Sequence, residues 1–197
     1  MHPKLDKFPL RLDEAALIVI DMQEYFLNRR SHAYLPKSKR IILRLKKLIS
    51  LFKKINRPII FTRHIDRDKY GLMCRWWGEA IEEGDPLSRI SDRLDTSGAE
   101  VIIKHQYDAF LGTPLEEMLH KMGVRQVIIT GVVAHLCCET TARSAFMRGF
   151  ETFFVTDCTA SSEPGHKKAA ILNLSHGFAV PITHKYILKL AHGDGGD

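Results

Sequence analysis

Three side chains with complementary chemistry stand at, or just past, the ends of short apolar runs in this 197-residue chain. Asp21 follows ALIVI at residues 16–20, and Lys104 closes EVIIK at residues 100–104. Cys137 comes a short loop after QVIIT at residues 126–130, close to the start of a helical stretch. A carboxylate, an ammonium and a thiol brought to one place can carry out acyl transfer. The thiolate attacks, the carboxylate takes and returns its proton, and the ammonium holds the carboxylate and stabilises negative charge. Backbone N–H groups of the loop ahead of Cys137 could serve as an oxyanion hole. Taken singly, each signal is weak, since a lone Asp or Lys at a strand end is usually a solvated terminus and a lone Cys is usually packing. Convergence of all three on one rim gives the pattern its weight.

Cys137 has a twin in Cys138, and helical spacing separates them. From Cys138 the helical neighbours are Ala142, Ala145, Phe146 and Gly149, a small and apolar face suited to packing. From Cys137 they are Thr141, Ser144 and Arg148, a more polar stripe nearer the helix tip. Cys137 is therefore the nucleophile candidate and Cys138 its buried neighbour. Cys74 and Cys158 read as packing thiols.

These residues need elements to position them. Runs at 16–20, 58–62, 100–104, 126–130, 152–156 and 177–182 are short, continuous and rich in β-branched residues, as strands buried on both faces are. Helical patterns lie between them, at about 37–57, 114–122, 137–148 and 164–176, with Gly149 placed as a C-terminal cap. The alternation predicts a three-layer α/β/α domain over residues 1–197, with a mostly parallel six-stranded, Rossmann-like sheet. In such sheets ligands bind outside the carboxyl ends of the strands, where Asp21, Lys104 and Cys137 fall.

Composition bounds the rest. The net charge is +6, and much of the excess lies in residues 37–57. There Ile41, Ile42, Leu45, Leu48, Ile49 and Phe52 keep helical spacing, so the lysines and arginines form the solvated face of an amphipathic helix. No aromatic interleaving or nucleic-acid motif accompanies them, so no nucleic-acid partner is expected. No apolar run is long enough for a bilayer span, and the N-terminus lacks a signal-peptide pattern, so the expectation is a cytoplasmic protein without a membrane partner. Four cysteines without CxxC spacing argue against a disulfide framework or a zinc ribbon.

Residues 65–98 break the rhythm and contain both tryptophans of the chain, Trp76 and Trp77. An insertion of this kind reads either as an active-site lid or subunit contact, or as an ordinary helix packing its tryptophans on the core. The end of the chain, 190–197, has little to bury and is expected to be a disordered tail.

The segments ALIVIDMQEYFL, EVIIKHQYDAFLGTPLEEML and VIITGVVAHLCCETTARSAFMRGFETFFVTDC resemble, in this order, the isochorismatase-like hydrolase superfamily, which includes nicotinamidases and other cysteine hydrolases. The resemblance spans nearly the whole chain. It implies a catalytic Asp21, Lys104 and Cys137, a cis peptide bond between Val132 and Val133, and an oxyanion hole from the N–H groups of Val133 and Cys137. It further implies a homo-oligomer, a dimer or tetramer, acting on a small molecule without a cofactor. Nicotinamidases carry a metal site in a D-x-H pattern after the second strand. This chain has TRHIDRDKYG there, with His64, Asp66 and Asp68, so no metal is assigned. The chain also resembles isochorismatases proper in DMQEYFL, in the Trp–Gly pair and in AH before the cysteines. Those enzymes hydrolyse a vinyl ether by acid chemistry and typically have glycine where Cys137 stands.

Three functions follow. The leading one is cleavage of a C–N bond in a small amide through a thioester on Cys137, an amidase activity. The second is vinyl ether hydrolysis with Asp21 as general acid and Gln23 positioning the substrate. The third, and weakest, is a non-catalytic binding protein using its basic face. Candidate substrate-binding residues are Gln23, Phe26, Trp76, Trp77 and His135. Core packing explains the aromatics, and a loop-structural role explains His135, almost as well.

Overall fold

In the strand Ala15–Ile20 (β1) every residue is buried, and alternate side chains enter two different cores. Ala15, Leu17 and Val19 face one way, toward a helix at Ser38–Lys54 (α2) and a helix at His184–Ala191 (α7). Ala16, Ile18 and Ile20 face the other, toward helices at Leu115–Lys121 (α4), Glu139–Met147 (α5) and Pro164–Gly177 (α6). A strand that is apolar at every position is what a sheet covered on both sides requires. The chain is a single three-layer α/β/α domain, described over residues 3–193 by a computed structural model.

The sheet has six strands. After β1 come Ile59–His64 (β2), Glu100–Lys104 (β3), Gln126–Val132 (β4), Glu151–Ala160 (β5) and Val180–Ile182 (β6), in the spatial order β3-β2-β1-β4-β5-β6. Every neighbouring pair is parallel. Successive strands build outward from β1 to one side as far as β3, then to the other from β4 onward. The switch point therefore lies between the ends of β1 and β4, where a crevice opens. The predicted basic helix is α2, and all six of its predicted core residues are buried. Gly149, at φ +86°, ends the helical stretch, with the Phe150 N–H returning to the Ala145 carbonyl. No helix among the described residues is long and apolar enough to cross a membrane.

Some expectations need correction. The fifth strand runs to Ala160, four residues past its predicted end, because a register shift lets Thr159 and Ala160 pair with Gly131 and Val132. The sixth starts at Val180, since Gly177 still belongs to α6. The tail expected from residue 190 starts too early, because Leu190 and Ala191 are the last residues of α7. That helix is capped by the Thr183 side chain and buries Ile187. Residues 194–197 of the expected tail lie outside the described residues. In the 65–98 segment a short helix, Leu72–Trp77 (α3), exposes both tryptophans, Trp76 at 75%, so they are not core residues.

Gly131 sets the geometry of the crevice. Its φ is +106°, and a Cβ there would stand 2.0 Å from the Ile20 carbonyl oxygen, so only glycine lets the end of β4 lie against β1. Gly131→Ala is expected to lower unfolding free energy by at least about 3 kcal/mol, combining backbone strain with overpacking. Gly149→Ala, where the added methyl meets nothing within 4 Å, is expected to cost only about 1 kcal/mol. Urea unfolding of the two variants tests the contrast; equal losses would show that close approach at Gly131 is unimportant.

Candidate active site

The residue after β1 is Asp21, whose φ of +47° turns the chain sharply out of the sheet. Aspartate tolerates this left-handed backbone better than most residues. Thr62, on neighbouring β2, holds it there. The Thr62 hydroxyl donates to Asp21 Oδ1 at 2.6 Å and accepts from the Asp21 N–H at 3.1 Å. Lys104 ends β3, two strands away, and its long side chain crosses the end of β2. Its Nζ reaches Asp21 Oδ2 at 2.8 Å, the Gln106 carbonyl at 2.8 Å and Cys137 Sγ at 3.4 Å. Asp21 and Lys104 are both fully buried.

Cys137 lies on a wide π-helical turn, Ala134–Cys138, that precedes α5. The Val132–Val133 peptide bond that leads into the turn is cis. Widening the turn directs the two cysteines apart. Cys137 faces the cavity, whereas Cys138 is fully buried and directs its thiol to the Thr130 carbonyl at 3.8 Å. Burial raises the Cys137 pKa, and the charge of Asp21 and a hydrogen bond with it add to the rise; Lys104 pulls the other way and loses. The resting group is therefore a thiol, not the thiolate that Lys104 alone would favour. Burial pulls the Lys104 ammonium down, but the charge of Asp21, with the contact to Cys137, outweighs it and the net shift is upward.

Above these atoms lies a cavity of about 350 Å³. Its walls come from a short helix at Glu24–Leu27 (α1), the loop after it, the 65–98 segment, Tyr107, and the start of α6. Phe26 and Trp77 line it, and the Trp77 indole N–H donates to the Tyr107 hydroxyl at 2.8 Å. The 65–98 segment is thus one wall. Tyr25 and His32 both meet Glu79 Oε2 of that wall, at 2.9 and 2.6 Å. His135 also lines the cavity. Its Nδ1 is 2.8 Å from Ser161 Oγ, and its ring lies 4.3 Å from that of His166.

Two expected substrate contacts fall elsewhere. Trp76 lies outside the cavity wall, because one step along α3 rotates a side chain by about 100°. Gln23 is fully buried and works as a brace. Its Oε1 accepts the His64 N–H at 2.8 Å, and its Nε2 donates to the carbonyls of His64 and Ser88 at 2.9 and 2.8 Å. Val132 closes β4 behind the site, while Val133 lines the cavity. Sequence reasoning missed Thr62 and Tyr107 and went no further with His64 than assigning it no metal. Thr62 could have been found as the polar residue ending the second apolar run.

His64 and Asp66 occupy the region where a nicotinamidase-type metal would be expected, but they do not fit one. His64 Nε2 meets Asp66 Oδ1 at 3.2 Å, and its Nδ1 faces the Lys104 ammonium at 3.4 Å. A cation would have to break the pair and sit beside a positive charge. Among the described residues Asp157, Cys158 and His184 also come within 4.8 Å of one another. There Asp157 accepts from the His184 N–H and pairs with its ring, and Arg44 donates to the Asp157 carbonyl, an arrangement that fixes the start of α7.

The buried ion pair has a measurable signature. Lys104→Met leaves the Asp21 carboxylate buried and unpaired, and is expected to cost about 3–5 kcal/mol; Asp21→Asn with Lys104→Met should cost less than Lys104→Met alone. Because the folded Lys104 pKa is raised above its ordinary 10.5, the pair contributes fully below pH 10.5 and is lost as pH rises through the folded value. Urea midpoints of the wild type should therefore fall in that alkaline window. The double variant should lack this part of the pH dependence; an identical fall in both would exclude Lys104 as its source.

The isochorismatase domain model matches residues 15–185 of the chain. Nicotinamidase 3 of Arabidopsis thaliana is 38% identical over 171 residues, covering 84% of this chain and 82% of that protein. Enterobactin synthase component B of Escherichia coli is 36% identical over 151 residues, covering 74% of this chain and 52% of its own length. The chain thus spans about half the length of that relative. Among solved structures, a cysteine hydrolase from Pseudomonas syringae pv. phaseolicola superimposes with a TM-score of 0.87 at 23% identity, covering 94% of this chain and 95% of that one. The fold, the domain match and the level of identity to these relatives make this chain a member of the isochorismatase family of hydrolases.

Proposed function

We propose that this hydrolase cleaves the C–N bond of a small, planar amide through a thioester on Cys137. The observation that carries the reading is the meeting of Asp21, Lys104 and Cys137 at the base of one aromatic cavity. Asp21 takes the thiol proton as sulfur attacks the carbonyl carbon, and Lys104 keeps the carboxylate in place. The N–H groups of Val133 and Cys137 receive the oxyanion. Collapse expels the amine, which leaves with the proton held by Asp21, and a thioester remains. Water then attacks that thioester, again giving a proton to Asp21, and the acid product and the Cys137 thiol are released. A thiol that rests protonated suits this sequence, since its proton is the one the leaving amine needs. The 38% identity to a nicotinamidase supports an amide over other substrates.

Vinyl ether hydrolysis is the second reading, supported by 31% identity over 152 residues to an isochorismatase of Bacillus subtilis. It needs Asp21 as general acid and leaves Cys137 without a task. Cys137→Ala separates the two. Under the thioester mechanism turnover of a panel of amides falls at least about 10³-fold, and intact-mass spectrometry of the wild type detects an acyl adduct on Cys137. Turnover of isochorismate that survives Cys137→Ala and is lost in Asp21→Ala would reverse the assignment.

Phe26, Trp77 and Tyr107 give the cavity faces on which a flat substrate can lie. Trp77→Ala is expected to raise KM roughly tenfold with little change in kcat, corresponding to about 1–2 kcal/mol of lost apolar contact. Steady-state kinetics on the best amide of the panel checks this; an unchanged KM would remove Trp77 from the substrate site.

A further inference from the structure

Lys104 has three N–H donors, and four acceptors surround them. Asp21 Oδ2 and the Gln106 carbonyl take the two short contacts, both at 2.8 Å. Two acceptors remain for the third proton, Cys137 Sγ and His64 Nδ1, and both lie 3.4 Å from Nζ. An imidazole nitrogen that faces an ammonium presents its lone pair, so the His64 ring proton sits on Nε2. There Asp66 Oδ1 accepts it at 3.2 Å. The ring is buried and held from both ends. Gln23 engages the His64 backbone on both its N–H and its carbonyl. Asp66 is tied to the cavity wall through Ile81, whose N–H donates to Oδ2 at 2.7 Å and whose carbonyl accepts the Asp66 N–H at 2.9 Å.

From these contacts we infer that His64 is a positioning residue for the reaction: its Nδ1 shares the third Lys104 proton with the resting Cys137 thiol and gives it up to sulfur as the thiolate forms. The inference rests on the thioester reading for its role in turnover. No covalent bond changes in this step; an N–H···N contact is exchanged for an N–H···S contact to a charged sulfur. The same contacts join the cavity wall at Ile81, through Asp66, His64 and Lys104, to the nucleophile.

Besides Lys104, Asp21 from the end of β1 bears on the charge of Cys137. Tyr107 after β3 and the adjacent Cys138 respond to that charge, and Asp66, His135 and His166 line the same cavity. All are retained in the variants that test the inference, so a difference between variants reports the His64 acceptor.

Alkylation of Cys137 by iodoacetamide, followed against pH and assigned to Cys137 rather than Cys138 by fragment ions, reads the thiol without any substrate. His64→Phe keeps a ring and removes the acceptor, leaving sulfur as the sole partner for the third proton. Its alkylation at pH 7 is expected to rise roughly tenfold, with the midpoint lowered by about one pH unit. His64→Asn retains an oxygen acceptor and is expected to stay near the wild-type midpoint. If His64→Phe does not fold, His64→Leu makes the same comparison. An unchanged midpoint in the acceptor-free variant overturns the inference, and so does an equal shift in both variants, which would mark lost packing. Turnover by Cys137→Ala decides the thioester reading separately, because the alkylation result does not depend on which bond the enzyme breaks.

Discussion

The ion pair between Asp21 and Lys104 is the constraint around which this end of the molecule is organised. Each charge taken fully out of water costs several kcal/mol, and mutual attraction offsets that only when the remaining polar valences are also met. The structure meets them with groups from different strands. Thr62 supplies a hydroxyl to the carboxylate, and the chain just after β3 supplies a carbonyl to the ammonium. Because β2 lies between β1 and β3, the lysine has to span two strand spacings, roughly 9–10 Å, over the end of the middle strand. A parallel sheet makes this possible by ending all three strands on the same side.

The same pair fixes the character of the thiol. Placed beside an ammonium alone, Cys137 would lose its proton readily. Placed beside an ammonium already committed to a carboxylate, and out of water, it keeps the proton and has a base at hand. Thiol and carboxylate are thus tuned together.

Much of this was legible in the chain. Uninterrupted β-branched runs announced a sheet covered on both faces, and the six apolar residues of α2 announced which side of that helix enters the core. Asp21, Lys104 and Cys137 were legible because each falls at the end of such a run or a short loop past it. What could not be read depends on contacts between segments far apart in sequence. Gln23 looks like a rim residue, yet its amide closes onto His64 and Ser88, 41 and 65 positions away. Trp76 and Trp77 are the same residue type side by side, and only the path of α3 decides which one meets the cavity. The extension of β5 depends on a register shift that no local pattern marks. By contrast α7 carries a signal that local sequence does show, a threonine, Thr183, placed to cap a helix that buries Ile187.

The buried cluster of Asp21, Lys104 and Cys137 and most of the cavity walls come from different parts of the architecture. Asp21, Lys104 and Cys137 are carried by strand ends and by the turn after β4, all anchored in the two cores. Apart from His64 and the turn that carries Cys137, the walls come mainly from α1 and the loop after it, the 65–98 segment and the start of α6, none of which contributes a strand to the sheet. Chemistry and selectivity are consequently modular. Variation in the walls can retune which molecules are admitted while Asp21, Lys104 and Cys137 stay where the sheet puts them, which makes the fold a ready chassis for divergent specificities.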